Sequence, residues 1–198
     1  LNKKSVSAME YINTDIDGVV ILKPQVHEDA RGYFMETFVQ NDFDRHVRPV
    51  RFVQDNESRS TFGVLRGLHF QRMPHAQSKL VRCINGRVLD VAVDLRYGSP
   101  TFGKHVSVEL SEENHLQLFI PRGFAHGFVV LSPEATFAYK CDALYSPQSE
   151  GGINPFDPAL GIDWHISKED AILSDKDEAR PCLGEVIDSV TFKGSLYE

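Results

Sequence analysis

Cysteine is scarce in this 198-residue chain. Cys83, Cys141 and Cys182 are widely spaced and form no CxxC pair. A disulfide framework and a cysteine zinc site are thereby excluded, and the usage suits a reducing cytoplasm. Long apolar runs are also missing. Gly127–Leu131 and Val19–Leu22 are far too short to span a bilayer. Positive charge is in deficit: 21 Lys and Arg stand against 28 Asp and Glu, a net charge of −7. With no basic block, the chain is a poor partner for duplex nucleic acid or an anionic membrane. No GxGxxG follows a strand-like run, and GxxxxGK(S/T), HExxH and GxSxG do not occur. Nicotinamide-dependent, P-loop, zinc-protease and α/β-hydrolase readings therefore fail.

What is present is an ordinary globular composition, 41% hydrophobic and 25% charged, long enough for one domain with its own core. Leu1–Ala8 reads as a polar leader outside the fold, with Met9 as the expected native start, so one domain is expected over 9–198. Val88–Leu95 alternates, Leu89, Val91, Val93 and Leu95 on one face against Asp90 and Asp94 on the other. Lys104–Leu110 does the same with Val106, Val108 and Leu110. Such period-2 patterns predict half-buried strands. Asn85-Gly86 between two apolar runs predicts a hairpin. Turn clusters at Tyr97–Pro100, Pro121–Gly123 and Ser132–Glu134 extend this to an antiparallel sandwich or barrel. Short helices are expected at Gln40–His46, Ser167–Ala171 and Ser174–Arg180, the last two opening on a serine N-cap.

Several polar residues fall inside these strand-like segments. In Val64–Gln71, alternation puts His69 on a face with Leu65, Gly67 and Gln71. Taken alone, such a histidine is more often a satisfied core group than a catalyst. Lys79 shares a face with Val81 and Cys83, and lysine is rarely buried unless paired or functional. Tyr139, in line with Phe137 and Cys141, reads singly as an interior tyrosine with a satisfied hydroxyl. Pro121-x-Gly123-x-x-His126 resembles the second half of the cupin signature, whose first half supplies a His-x-His pair and a Glu. His69-Phe70-Gln71 offers one histidine, so a metal site lacks its third ligand. Arg66 in a barrel mouth would suit a diphosphate, which guanidinium binds bidentately.

Read together, the segments resemble the dTDP-4-dehydrorhamnose 3,5-epimerases. The resemblance rests on Asp29–Phe34, Phe52–Asn56, Val64–Gln71, Gln77–Arg82, Ser99–Gly103 and Ile120–Phe128. It continues through Phe137–Lys140, Ser149–Gly151, Gly161–Trp164 and Leu173–Asp177. These run in order from Val19 to Pro181 and overturn the single-position readings of His69, Lys79 and Tyr139. The family implies a mainly β, cupin-type jelly roll (a double-stranded β-helix) with a few short helices, a homodimer, and no metal or organic cofactor. It implies inversion of C3 and C5 in a thymidine-diphosphate 4-keto-6-deoxyhexose, for L-rhamnose in surface polysaccharide. By position, His69 resembles the general base, Asp177 its orienting partner, Tyr139 the general acid, and Lys79 the group facing the ketone oxygen. Gln54, Asn56, Arg66, His126, Glu150 and Lys176 match substrate-binding positions. Tyr145 matches the residue near the thymine, and Arg31 and Glu36 match substrate contacts supplied by a partner subunit.

The chemistry agrees. C3 and C5 both flank the C4 ketone, so the same ketone acidifies both protons. Histidine, with an unperturbed pKa of about 6.5, suits their removal at neutral pH. Two departures leave the sugar and base preference open. Leu144 precedes Tyr145 where the family often has paired tyrosines, and Asn154-Pro155-Phe156 stands where a tryptophan is common. The alternatives are an epimerase inverting one centre, a non-catalytic cupin that only binds a sugar nucleotide and, least supported, a metal-dependent oxygenase.

Overall fold

The computed structural model describes residues 9–190 and 192–197. The expected leader Leu1–Ala8 lies outside the described residues. Six strands form one sheet in the order β1 (Met9–Asn13), β2 (Val20–Pro24), β10 (Gln117–Ile120), β7 (Lys79–Asn85), β12 (Glu134–Cys141), β5 (Gln54–Thr61). Five form a second, in the order β13 (Glu150–Gly152), β6 (Leu65–Gln71), β11 (Phe124–Val130), β8 (Arg87–Asp94), β9 (His105–Ser111). The remaining pair, β3 (Val26–Asp29) and β4 (Gly32–Met35), is a separate hairpin. Neighbouring strands in the two large sheets are antiparallel. The sheets face each other over Val81, Cys83, Leu118, Ile120 and Phe137 from one and Val88, Ala92, Phe124, Phe128 and Val130 from the other. This is the jelly roll that the resemblance implies.

Two strand expectations need correction. β8 is buried along both faces, not half-buried, and Asp90 and Asp94 are both fully inaccessible. Leu89, Val91, Val93 and Leu95 pack outward against Trp164, Leu183 and Phe192, while Val88 and Ala92 face the barrel interior. The C-terminal third of the chain covers a face that alternation alone would leave to solvent. The predicted hairpin at Asn85-Gly86 is instead a corner, since β7 and β8 lie in different sheets. Gly86 does take a positive φ of 77°, and a Cβ there would sit 2.1 Å from the Glu134 carbonyl oxygen. The positive-φ turn forms as expected, but the two strands it joins do not pair. β9 follows its predicted alternation.

The first helix, α1, occupies Gln40–His46 as predicted and sinks Phe43 against Phe38, Phe52 and Phe119. The second, α2 (Asp175–Glu178), opens on Ser174, whose hydroxyl accepts the Asp177 N–H at 3.2 Å. Ser167–Ala171 forms a turn and not a helix. Ile172 is drawn away by hydrogen bonds with Gly63 and Leu65, which ends the turn. A third helix, α3 (Leu183–Val190), follows. Among the described residues no helix is long and apolar enough to cross a membrane. The apolar segment Val19–Leu22 lies inside the first sheet, where β2 is flanked by β1 and β10.

Candidate active site

One end of the barrel interior opens into a cavity of about 660 Å³. Its wall depends on an irregularity in β6. Arg66 pairs with Phe128 and His69 with His126, so the span 66–69 opposes the shorter span 126–128. A bulge of this kind re-aims side chains. Arg66, His69 and Gln71 therefore turn into the cavity together while Leu65, Leu68 and Phe70 enter the outer core. This corrects the expectation that His69 shares a face with Leu65 and Gly67. Gly67, at φ 142°, lies so close to the partner strand that a Cβ would come within 2.6 Å of the Gly127 Cα.

His69 Nε2 and Asp177 Oδ1 are 2.5 Å apart. The serine cap of α2 holds Asp177, whose side chain is 6% exposed against 34% for His69. Burial would raise the Asp177 carboxyl, but the hydrogen bonds from His69 and Ser174 and the charges of His69 and Arg180 outweigh it and lower its pKa. A carboxylate on Nε2 fixes the ring tautomer and leaves Nδ1 as the free basic nitrogen.

Across the cavity, on the six-stranded sheet, stand Lys79 from β7 and Tyr139 from β12. Burial lowers the Lys79 pKa, opposed by neighbouring negative charge. Burial raises the Tyr139 phenol, which keeps it protonated as an acid requires, with Arg66 opposing. Lys79 Nζ lies 3.5 Å from His126 Nδ1, and His126 Nε2 lies 2.9 Å from Asp90 Oδ2. Burial lowers the His126 pKa, with the Asp90 charge opposing and Lys79 adding to the shift.

The cavity mouth is polar. Arg66 donates to Ser60 Oγ at 3.1 Å. Gln54 donates to Asn56 at 2.9 Å and accepts the Tyr145 N–H at 3.0 Å. Glu150 accepts the Tyr145 hydroxyl at 2.6 Å and pairs with Lys176 at 2.6 Å and Arg180 at 3.0 Å. Burial would raise the Glu150 carboxyl, but these bonds and charges outweigh it and lower its pKa.

All the expected site residues line this cavity except Arg31 and Glu36. Arg31 sits at the tip of the β3–β4 hairpin, its side chain 90% exposed and paired with Asp29. Sequence reasoning missed Asp90, Arg180, Gln71 and Cys141 as parts of the site. Alternation gave no signal for Asp90, since it falls with Asp94 on the face opposite Leu89, Val91 and Val93. Cys141 lines the cavity, and burial pushes its thiol up to about 11. Among the described residues no three His, Cys, Asp or Glu side chains converge as a metal would need.

Comparison with known proteins places this geometry. A family profile described as dTDP-4-dehydrorhamnose 3,5-epimerase matches residues 13–185. A dTDP-4-dehydrorhamnose 3,5-epimerase of Shigella flexneri is 56% identical over 170 residues, 85% of this chain and 93% of the relative. The crystal structure of a Legionella pneumophila 3,5-epimerase in complex with dTDP-4-keto-L-rhamnose superimposes with a TM-score of 0.89. It is 48% identical, covering 94% of this chain and 100% of that one. A 3'-monoepimerase of Streptomyces bikiniensis in complex with dTDP-quinovose has a TM-score of 0.81. It is 37% identical, with 88% of each chain covered.

Proposed function

The chain belongs to the dTDP-4-dehydrorhamnose 3,5-epimerase family of isomerases, and we propose from that premise how its cavity works. The substrate is dTDP-4-keto-6-deoxy-D-glucose, inverted at C3 and C5 to dTDP-4-dehydro-L-rhamnose. One observation carries the reading: the His69–Asp177 pair and the Tyr139 hydroxyl line one cavity from facing sheets. A sugar ring between them meets a base on one face and an acid on the other, and inversion of a carbon needs both.

His69 Nδ1 takes the proton from a carbon beside the C4 ketone, and Asp177 stabilises the imidazolium that forms. Lys79 donates to the oxygen on which charge develops, an interaction typically worth about 2.7–4 kcal/mol. Tyr139 returns a proton to the opposite face. An enolate forms toward C3 and another toward C5 in turn, each placing its charge on the same C4 oxygen, and His69, being part-exposed, passes its proton to solvent between rounds. Arg66 pairs with the diphosphate at the mouth, Tyr145 lies against the thymine, and Gln54, Asn56, His126, Glu150 and Lys176 hold the remaining polar groups. Arg31 and Glu36 reach the substrate of a second copy in a homodimer, which agrees with their place outside this chain's cavity. Lys79 supplies the charge that a Lewis acid would otherwise provide, so turnover proceeds without added metal in the reducing cytoplasm.

The second reading, inversion at one centre, draws on the likeness to the monoepimerase. Incubation with dTDP-4-keto-6-deoxy-D-glucose in D₂O separates the two. The first reading expects deuterium at both C3 and C5 with the L-rhamno configuration by NMR. Label and inversion at a single carbon establish the second reading. No label at either carbon defeats both.

A further inference from the structure

Asp90 has no role in the mechanism above, yet it is buried in the barrel with one carboxylate oxygen unpartnered. It lies mid-strand in β8, fully inaccessible, where its neighbours on the inward face are Val88 and Ala92. Its one hydrogen bond is accepted by Oδ2 from His126 Nε2, while Oδ1 has no hydrogen-bond partner. Among the described residues no lysine or arginine pairs with it directly. A buried carboxylate without a cation is strongly disfavoured, and its removal would leave the buried His126 Nε2–H without an acceptor.

The geometry points to Asp90 as a positioning residue for Lys79, acting through His126. The inference rests on the reading of Lys79 as the group that faces the ketone oxygen. With the Nε2 proton committed to Asp90, His126 Nδ1 presents a lone pair, and the Lys79 ammonium 3.5 Å away donates to it. The opposite tautomer would aim an N–H at the ammonium and repel it. Asp90 thus anchors one N–H of Lys79 and leaves the other two for the substrate. Its charge also supports the protonated amine in a site where burial works against it.

The titratable and charged groups facing Lys79 and His126 are His69 on β6, Tyr139 and Cys141 on β12, Glu150 on β13 and Asp90 on β8. Cys141 is a neutral thiol at neutral pH, its pKa near 11. Glu150 is already engaged by Lys176 and Arg180. Asp90 is the carboxylate left to balance Lys79.

The test compares Asp90→Asn and Asp90→Val with the wild type. Asp90→Asn keeps an acceptor for the His126 N–H and should hold the thermal midpoint near the wild-type value, Asp90→Val should lower it, and both should bind thymidine diphosphate within about twofold. kcat should fall by about 10- to 100-fold, as when the partner orienting a ligating side chain is removed. The alkaline limb of the kcat profile should move to lower pH, because loss of a negative charge lowers the pH at which Lys79 deprotonates. Nitrogen-15 shifts should place the His126 proton on Nε2 in the wild type, a readout that needs no turnover. An Nδ1–H tautomer, an unmoved alkaline limb, or a kcat loss matched by equal losses of midpoint and nucleotide binding would each overturn the proposal. A wild type that lacks turnover but keeps the Nε2 proton defeats the epimerase reading instead, and with it the role assigned to Lys79.

Discussion

The division of labour between His69 and Tyr139 is set by which sheet each side chain leaves. The proposed base comes from β6 and the proposed acid from β12, so removing one leaves the other in place. His69→Ala should abolish deuterium incorporation at C3 and at C5. Tyr139→Phe removes the hydroxyl and keeps the ring against Phe137, 6.2 Å away between centroids. The base can then lift a proton and return a deuteron to the same face. Exchange should persist while net inversion falls by about 10²–10⁴-fold, the usual size of general acid catalysis. Equal residual exchange in the two variants, read by NMR in D₂O, would show the roles to be misassigned.

Among the elements, β6 and the β7–β8 corner depend on glycine for different ends. At Gly86 an added Cβ meets the Glu134 carbonyl oxygen and Ser132 Oγ, far along the fold from the catalytic groups. At Gly67 it meets the backbone of β11 within the bulge that aims Arg66 and His69. Forcing a side chain into such a conformation costs about 1–3 kcal/mol, and each kcal/mol lowers the midpoint of a chain this size by about 2–4 °C. Gly86→Ala should therefore lose roughly 2–12 °C while the folded enzyme keeps its kcat within twofold. Gly67→Ala should lose comparable stability and more than about tenfold in kcat. Calorimetry with assays below the midpoint checks both, and an unimpaired kcat in Gly67→Ala would remove the bulge from the account of the site.

For the whole molecule, the exposed β3–β4 hairpin is the feature a single copy leaves unexplained. Tyr33 and Phe34 are 57% and 69% exposed beside Arg31. Scattered apolar residues on a surface are normal, but two aromatics on a projecting hairpin next to an expected substrate contact form a coherent edge. The proposed homodimer should sediment as two chains at micromolar concentration. Phe34→Asp should shift it toward monomer and reduce turnover together. A wild type that sediments as one chain with full activity would refute the dimer and the reach of Arg31 and Glu36.

The cavity-lining groups were legible because each sits in a local motif, as in Arg66-Gly67-Leu68-His69 or Ser174-Asp175-Lys176-Asp177, and such motifs are contiguous in the chain. Local chemistry also sufficed for α1, for the Ser174 cap and for the turn at Gly86, since helices and turns close over a few residues. Alternation assigned Lys79 and Tyr139 to inward faces for the same reason. It did not say which strand would lie beside which. That choice belongs to contacts made far apart in sequence, so Asn85-Gly86 became a corner between sheets and Val19–Leu22 an interior strand. The inserted residue in β6, which reverses parity between Leu65 and His69, appears only against its partner β11. The burial of Asp90 required both sheets and the C-terminal cover to be in place. A carboxylate reads as surface in sequence, and only tertiary packing places this one inside, against His126.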